Sequence, residues 1–274
     1  MPEEQYFIPD FGRVLLRLPD MPTLVSLQSY VPGLYKLAGG LPRLSIIYNQ
    51  LQSQVLLHEN DVLTLGGEWS LARRDDVPHL LYAIARKHWI ENGSYPIHAA
   101  AVVGSSGKAI LLAGPSGVGK TTLCDALVGA KAGLFLSGNK TLLSLDPQKM
   151  LAVELTRTRS VLQPDGSREQ MQVGLDVTLP VPVGAIVLPY LNDEHDSWRQ
   201  LSQRSALHSL FPLCLDTANA DVLVDDGKAV FDGSIHLQAR QTLSIHLASV
   251  LSTLPVYRGV GSLSFLRDKI GGLP

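Results

Sequence analysis

The chain has 274 residues, of which 45% are hydrophobic and 18% charged, with 23 Lys plus Arg against 25 Asp plus Glu. That composition excludes a disordered chain, which lacks the apolar surface to offset the entropy of folding. A formal net charge of -2 excludes the broad positive field of a general nucleic-acid binder.

At the N-terminus, the acidic opening MPEEQYFIPDFG lacks the apolar stretch of a signal peptide. Short runs of strand character follow at Arg13–Arg17, Leu24–Leu27, Leu44–Tyr48, Gln54–His58 and Val62–Leu65, with Gly, Pro and Asn between them. Leu44–Tyr48 and Gln54–His58, on either side of Asn49-Gln50-Leu51, are expected to pair as a hairpin. A helix is expected over about Val77–Glu91, where Leu80, Leu81, Ile84, Ala85 and Trp89 form one apolar stripe and Asp75 or Asp76 stands as its cap. Residues 1–92 thus read as a β-rich N-terminal region ending in a helix, and residues 93–274 as a second domain.

Next come a strand at Ile97–Val103, turn material at Gly104–Gly107 and an apolar strand ending at Ala113. A turn that short makes the two strands antiparallel, because a parallel pair needs a crossover of a dozen or more residues. The second strand runs into Gly114-Pro115-Ser116-Gly117-Val118-Gly119-Lys120-Thr121-Thr122, which satisfies G-x-x-x-x-G-K-[ST], and a helix-compatible stretch follows to Ala130. Gly117 and Gly119 let the backbone curl around phosphate oxygens. The start of the helix adds its positive dipole end, Lys120 supplies a compact cation, and the Thr121 hydroxyl suits Mg²⁺. An ABC-type ATPase shares such a loop, but no LSGGQ signature follows it here.

The last stretch mixes short strands (Met150–Val153, Val183–Leu188, Val222–Val224, Ala229–Phe231) with helices at about Ser202–Phe211 and Ile235–Ser252. The longest apolar run, Val181–Leu191, is too short and too rich in proline to span a bilayer. The two cysteines, Cys124 and Cys214, have neither CxxC nor metal-ligand spacing. A soluble protein of the reducing cytoplasm is expected, without membrane or nucleic-acid partners.

His98-Ala-Ala-Ala-Val, a short glycine-bearing turn, an apolar strand and Gly114–Thr121 together resemble the C-terminal catalytic domain of the HPr kinase/phosphorylase family. They are more similar still to the HPr-kinase-related kinases that accompany natural-product genes, such as lasso-peptide kinases. The resemblance runs over about Ser94–Asp146 and extends more loosely to about Leu188. It implies an α/β fold with a mixed sheet, related to phosphoenolpyruvate carboxykinase, and an ATP- and Mg²⁺-dependent kinase acting on a hydroxyl of a small molecule or peptide. It also implies a tendency to form homo-oligomers.

On matching positions, Gly114–Thr122 would hold the triphosphate, Thr121 the metal, and His98 would lie near the transferred phosphate. The family places an acidic pair where this chain has Asn139 and Lys140. Neither residue accepts a proton from a substrate at neutral pH, so the family's base and its phosphorylase activity do not carry over. Asn139 can ligate Mg²⁺ or orient a hydroxyl, and Lys140 can neutralise the migrating phosphoryl group. A nucleotide-binding pseudokinase that recognises a partner through its N-terminal region is the alternative.

The family places a metal-binding glutamate on a strand after the acidic pair, and the resemblance makes Glu154 the candidate for it. Arg157 and Arg159, alternating on one strand face, are candidates for phosphate or substrate recognition. Asp146 and Asp225 each end an apolar run as a Walker B aspartate does, although the same pattern is a common turn entry. His236 and His246 are too far apart on one helix for joint ligation, and His195 lies in the polar loop Asn192–Asp196. Substrate is expected to enter near His98 and Asn139, under that loop.

Overall fold

The computed structural model describes residues 1–51, 56–59, 61–145, 149–155, 158–162, 168–172, 180–215, 221–225, 228–232 and 234–273; at 56–59, 153–155, 158–162, 168–172, 221–225 and 228–232 it describes the backbone alone. The fold is mixed α/β, with parallel and antiparallel neighbours in both main sheets.

The first sheet is built from β1 (Glu3–Ile8), β2 (Gly12–Arg17), β3 (Tyr35–Leu37), β4 (Leu44–Tyr48), β5 (Leu56–Glu59) and β6 (Val62–Leu65), in the order β3-β1-β2-β4-β6-β5. Helix α1 (Leu24–Tyr30) lies between β2 and β3 in the chain, and α2 (Leu71–Glu91) follows β6. One apolar core unites this sheet with both helices through Val14, Leu16, Leu27, Ile46, Leu63, Leu81 and Trp89.

Three expectations for this region are corrected. Leu24–Leu27 is helical, because the Thr23 hydroxyl accepts the Ser26 N–H and starts a turn that drives Leu27 into the core. Leu44–Tyr48 does not pair with the strand after it. It runs parallel to β2 on one side and to β6 on the other, so both its edges are taken, and β5 pairs with β6 instead. The long helix begins at Leu71, since the Ser70 hydroxyl accepts the Arg73 N–H. Asp75 and Asp76 therefore lie inside α2, as does Pro78, which withholds one backbone hydrogen bond.

The second sheet comprises β7 (Ser94–Ile97), β8 (Ala99–Val103), β9 (Ala109–Ala113), β10 (Leu134–Ser137), β11 (Thr141–Leu145), β12 (Met150–Leu155), β15 (Val181–Leu191), β16 (Ser197–Gln200) and β19 (Val256–Gly261). Two separate hairpins, β13 (Thr158–Leu162) with β14 (Arg168–Gln172) and β17 (Asp221–Asp225) with β18 (Lys228–Asp232), complete the described strands. The main path runs β10-β8-β9-β15-β12-β11-β7, with β19 beside β15 and β16 beyond it. Two chain stretches, 94–103 and 134–145, therefore occur at both ends of the path, and the sheet curls into a half-barrel. Ile97–Val103, expected as one strand, is broken at His98: β7 pairs with β11, while β8 pairs with β9 and β10.

Helices α3 (Lys120–Gly129) and α6 (Leu263–Gly271) share one apolar cluster with Val102, Leu112 and Val187. On the concave side, α4 (Gln203–Leu215) and α5 (Leu237–Val250) pack with Leu111, Ala113, Leu143 and Ile186. Buried Arg86 on α2 donates to the Leu215 carbonyl at 2.5 Å, tying the first region to the end of α4. Among the described residues no helix is long and apolar enough to cross a membrane.

Candidate functional site

The site begins with a local decision. Residues Gly104–Gly107 form a tight turn, with Gly107 at φ 75° donating to the Gly104 carbonyl at 3.0 Å. β8 and β9 are thereby antiparallel neighbours, as the turn length requires. β9 delivers the chain into the glycine loop, and α3 leaves it. Gly114, Gly117 and Gly119 have φ of 153°, 85° and 94°, values that only glycine adopts without strain. Gly119 caps α3 with no side-chain hydrogen bond, so the amides of the first turn keep their capacity for a ligand.

The neighbouring strand closes the loop from above. β15 runs parallel to β9, and its last residue, Leu191, donates its N–H to the Val118 carbonyl at 3.2 Å. A Cβ added to Gly119 would lie 2.3 Å from Leu191 Cδ1. Glycine is therefore demanded there twice, by dihedral angle and by space.

Two strand breaks meet beside the loop. His98 separates β7 from β8, and Gly138-Asn139-Lys140 separates β10 from β11. The flanking pairs are Ser137 with Ala101 and Thr141 with Ile97, so the two breaks lie abreast. The His98 carbonyl accepts the Gly114 N–H at 3.3 Å, locking the first break to the loop. The result is a pocket of about 510 Å³ lined by His98, Ser116, Gly117, Gly119, Lys120, Thr121, Thr122, Gly138, Asn139 and Leu191. No Asp or Glu is among these residues.

Lys120 is the electrostatic centre. It is 6% exposed, and its Nζ donates to the Gly114 and Pro115 carbonyls at 2.9 and 2.7 Å. Burial, and after it the nearby Lys140 charge, pushes its pKa down to about 8. A buried ammonium beside left-handed glycines and an uncapped helix start has the charge and donors that suit an anion.

The structure brings His98, Asn139 and, from the loop, Ser116, Gly117 and Gly119–Thr122 to this pocket, while Gly114, Pro115 and Val118 are not among the lining residues. Lys140 is placed differently: it is 5% exposed, and its Nζ stands 3.9 Å from the centre of the Tyr82 ring on α2. Asn139 Nδ2 donates to the Ser29 carbonyl at the end of α1, 3.2 Å away. Both residues thus also bind the N-terminal region to the rim of the pocket. The Lys140 charge reaches His79 on α2 as well, whose pKa is lowered chiefly by burial and opposed by Asp76.

Glu154 lies on β12, in register with Leu142, and its side chain is outside the described residues. Arg157 and Asp146 are outside them altogether, as are the side chains of Arg159 on β13 and Asp225 on β17. Among the described residues no group of three or more His, Cys, Asp or Glu is arranged to hold a metal. Of the two expected metal ligands, only Thr121 therefore has its side chain described. Thr121 lines the pocket, and a threonine hydroxyl is a hard oxygen donor of the kind Mg²⁺ takes.

Leu191, Gly138, Ser29 and Tyr82 were not marked out by the sequence. A signal existed for Leu191 alone: it ends the longest apolar run, and ligands gather at the carboxyl ends of parallel strands. The turn Asn192–Asp196 begins at this point. Asn192 donates its N–H to the Gly261 carbonyl at 2.9 Å, and Asp196 Oδ1 accepts the Ser262 N–H at 3.1 Å.

A scan against protein-family models finds no match to the chain, and a search of curated proteins finds no similar sequence.

Proposed function

We propose that this chain is an ATP-dependent phosphotransferase of the HPr-kinase-like type, passing the γ-phosphoryl group to a hydroxyl of a small molecule or peptide. The observation that carries the reading is the pocket in which left-handed glycines, the start of α3 and buried Lys120 converge beside His98 and Asn139. Gly114–Thr122 hold the triphosphate and Lys120 meets its charge. Bound Mg²⁺, held by Thr121, would neutralise phosphate oxygens. The acceptor oxygen forms the new bond to phosphorus as the bond to the β-phosphate oxygen breaks, and the acceptor proton passes to the His98 imidazole or to water. With a loose transition state, positioning and charge do most of the work, so a carboxylate base is not obligatory.

A second reading is favoured by a specific observation. Asn139 and Lys140 both engage the N-terminal region, and no carboxylate lines the pocket among the described residues. That is the arrangement of a nucleotide-binding module whose occupancy is felt by α1 and α2.

Calorimetric titration of ATP into wild type and Lys120→Ala tests the shared premise: affinity falls at least tenfold in the variant, and equal affinities refute the site. Mass spectrometry of hydroxyl-bearing peptides and small molecules incubated with protein and Mg-ATP separates the two readings. A phosphate gained by an acceptor supports the transferase, whereas tight ATP binding without transfer to any of them supports the module.

A further inference from the structure

Beyond the pocket, the outer edge of the second sheet carries an unusual pair. In the antiparallel β16–β19 ladder Arg199 stands directly opposite Arg258. Opposed residues share one face at Cβ separations of about 5 Å, where like charges are unfavourable. Both arginines are exposed. Among the described residues Arg258 reaches the Ser209 hydroxyl on α4, at 3.5 Å, and neither arginine has an ion pair. The opposite face of the ladder is packed, with Trp198 and Leu266 closing over Gly259. The arginine face is the one on the α4 side, where Val256 and Leu188 are packed and the two arginines stand exposed beyond them.

Two further features give this face a direction. Among the described residues β16 pairs with β19 alone, which leaves its outer backbone edge available to an added strand. Arg258 is in register with Leu188 of β15, and two residues further along the same face stands Tyr190, 54% exposed. The next residue, Leu191, lines the phosphate-type pocket. From Arg258 to Leu191 is three residues along the strand and one strand across, about 11 Å, and from a strand added outside β16 it is about 17 Å. Asp193 and Glu194, exposed in the turn before β16, make the pocket end of this strip unfavourable for acidic groups.

We propose that the β16 edge with Arg199 and Arg258 docks an acidic, extended polypeptide segment whose carboxylates lie over the two guanidiniums and whose neutral continuation leads to the pocket. Resting on the phosphotransferase reading, this makes the acceptor a peptide with acidic residues about five to seven positions from its Ser or Thr. The open edge supplies main-chain hydrogen bonds, and the arginine pair supplies the selection for charge.

The test is fluorescence anisotropy with a labelled twelve-residue peptide carrying paired glutamates six residues from a serine. A lysine-for-glutamate counterpart and a single-stranded oligonucleotide serve as controls. The acidic peptide is expected to bind, and Arg199→Glu with Arg258→Glu to weaken it at least tenfold. Arg199→Gln with Arg258→Gln should have an intermediate effect, and both double variants should titrate ATP as wild type does. Equal binding of the two peptides, no loss in the double variants, or binding of the oligonucleotide in preference to the acidic peptide would overturn the proposal. ATP titration of the wild type separates the two ideas: if peptide binding is present while ATP binding is absent, the phosphate pocket has failed and the docking edge has not.

Discussion

Under the proposed function, the depressed pKa of Lys120 makes nucleotide affinity a function of pH, with a magnitude that follows from its environment. In the free protein the ammonium titrates at about 8 rather than 10.5, because burial and the Lys140 charge both oppose it. A bound polyphosphate removes that opposition by supplying negative charge, and the pKa returns toward its ordinary value. Binding therefore takes up a proton wherever the free lysine is neutral, and affinity falls as pH rises through about 8. If the bound pKa is restored to 10.5, affinity at pH 9.5 is about 20-fold below that at pH 7.5, or about 2 kcal/mol. The sign for folding is the opposite one. A lysine whose folded pKa is lowered costs stability while both states are protonated, and that cost fades as pH climbs from about 8 to 10.5. Calorimetry across this range, in two buffers of different ionisation enthalpy, reads affinity and proton uptake together. Lys120→Arg, charged throughout, should show a flat profile, and Lys140→Gln should move the wild-type midpoint upward. A wild-type affinity that does not change between pH 7.5 and 9.5 would refute the assignment of Lys120 to the anion.

Other expectations follow from single contacts. Gly119→Ala meets Leu191 and demands a left-handed alanine, so thermal unfolding should show a loss of about 1–3 kcal/mol together with lost ATP binding. Leu191→Ala in the same chain should restore only the part due to space. Thr121→Ala removes one hydroxyl from the pocket wall. It should weaken the Mg²⁺ dependence of ATP binding more than binding without metal, and superimposable metal titrations would count against it. Asn139→Asp keeps size but places a carboxylate beside the pocket and forfeits the amide donated to Ser29. Phosphate transfer appearing only in this variant favours the binding-module reading, while transfer reduced or unchanged shows that the natural asparagine is no degraded acid.

The parts of the site that were legible in the sequence are those fixed by near neighbours in the chain. Three glycines with positive φ, an apolar strand before them and a four-residue turn before that strand can fold in few ways, so the hairpin, the loop and α3 all stood in the linear pattern. The pairing of β4 was not legible, because its partners are separated from it by α1 on one side and β5 on the other. Leu24–Leu27 failed for the converse reason: a four-residue apolar run fits either period, and the Thr23 cap decided between them.

The sequence alone determined that Lys120 is tethered to a glycine loop at a helix start, because bond geometry allows the intervening residues little choice. Tertiary structure decided what surrounds it. Only the curl of the second sheet sets the His98 break beside the Gly138–Lys140 break, turns the Lys140 ammonium against Tyr82, and lays Leu191 over Gly119. Those contacts join residues tens of positions apart, and their energies depend on burial and charge, which exist only once the sheet has closed.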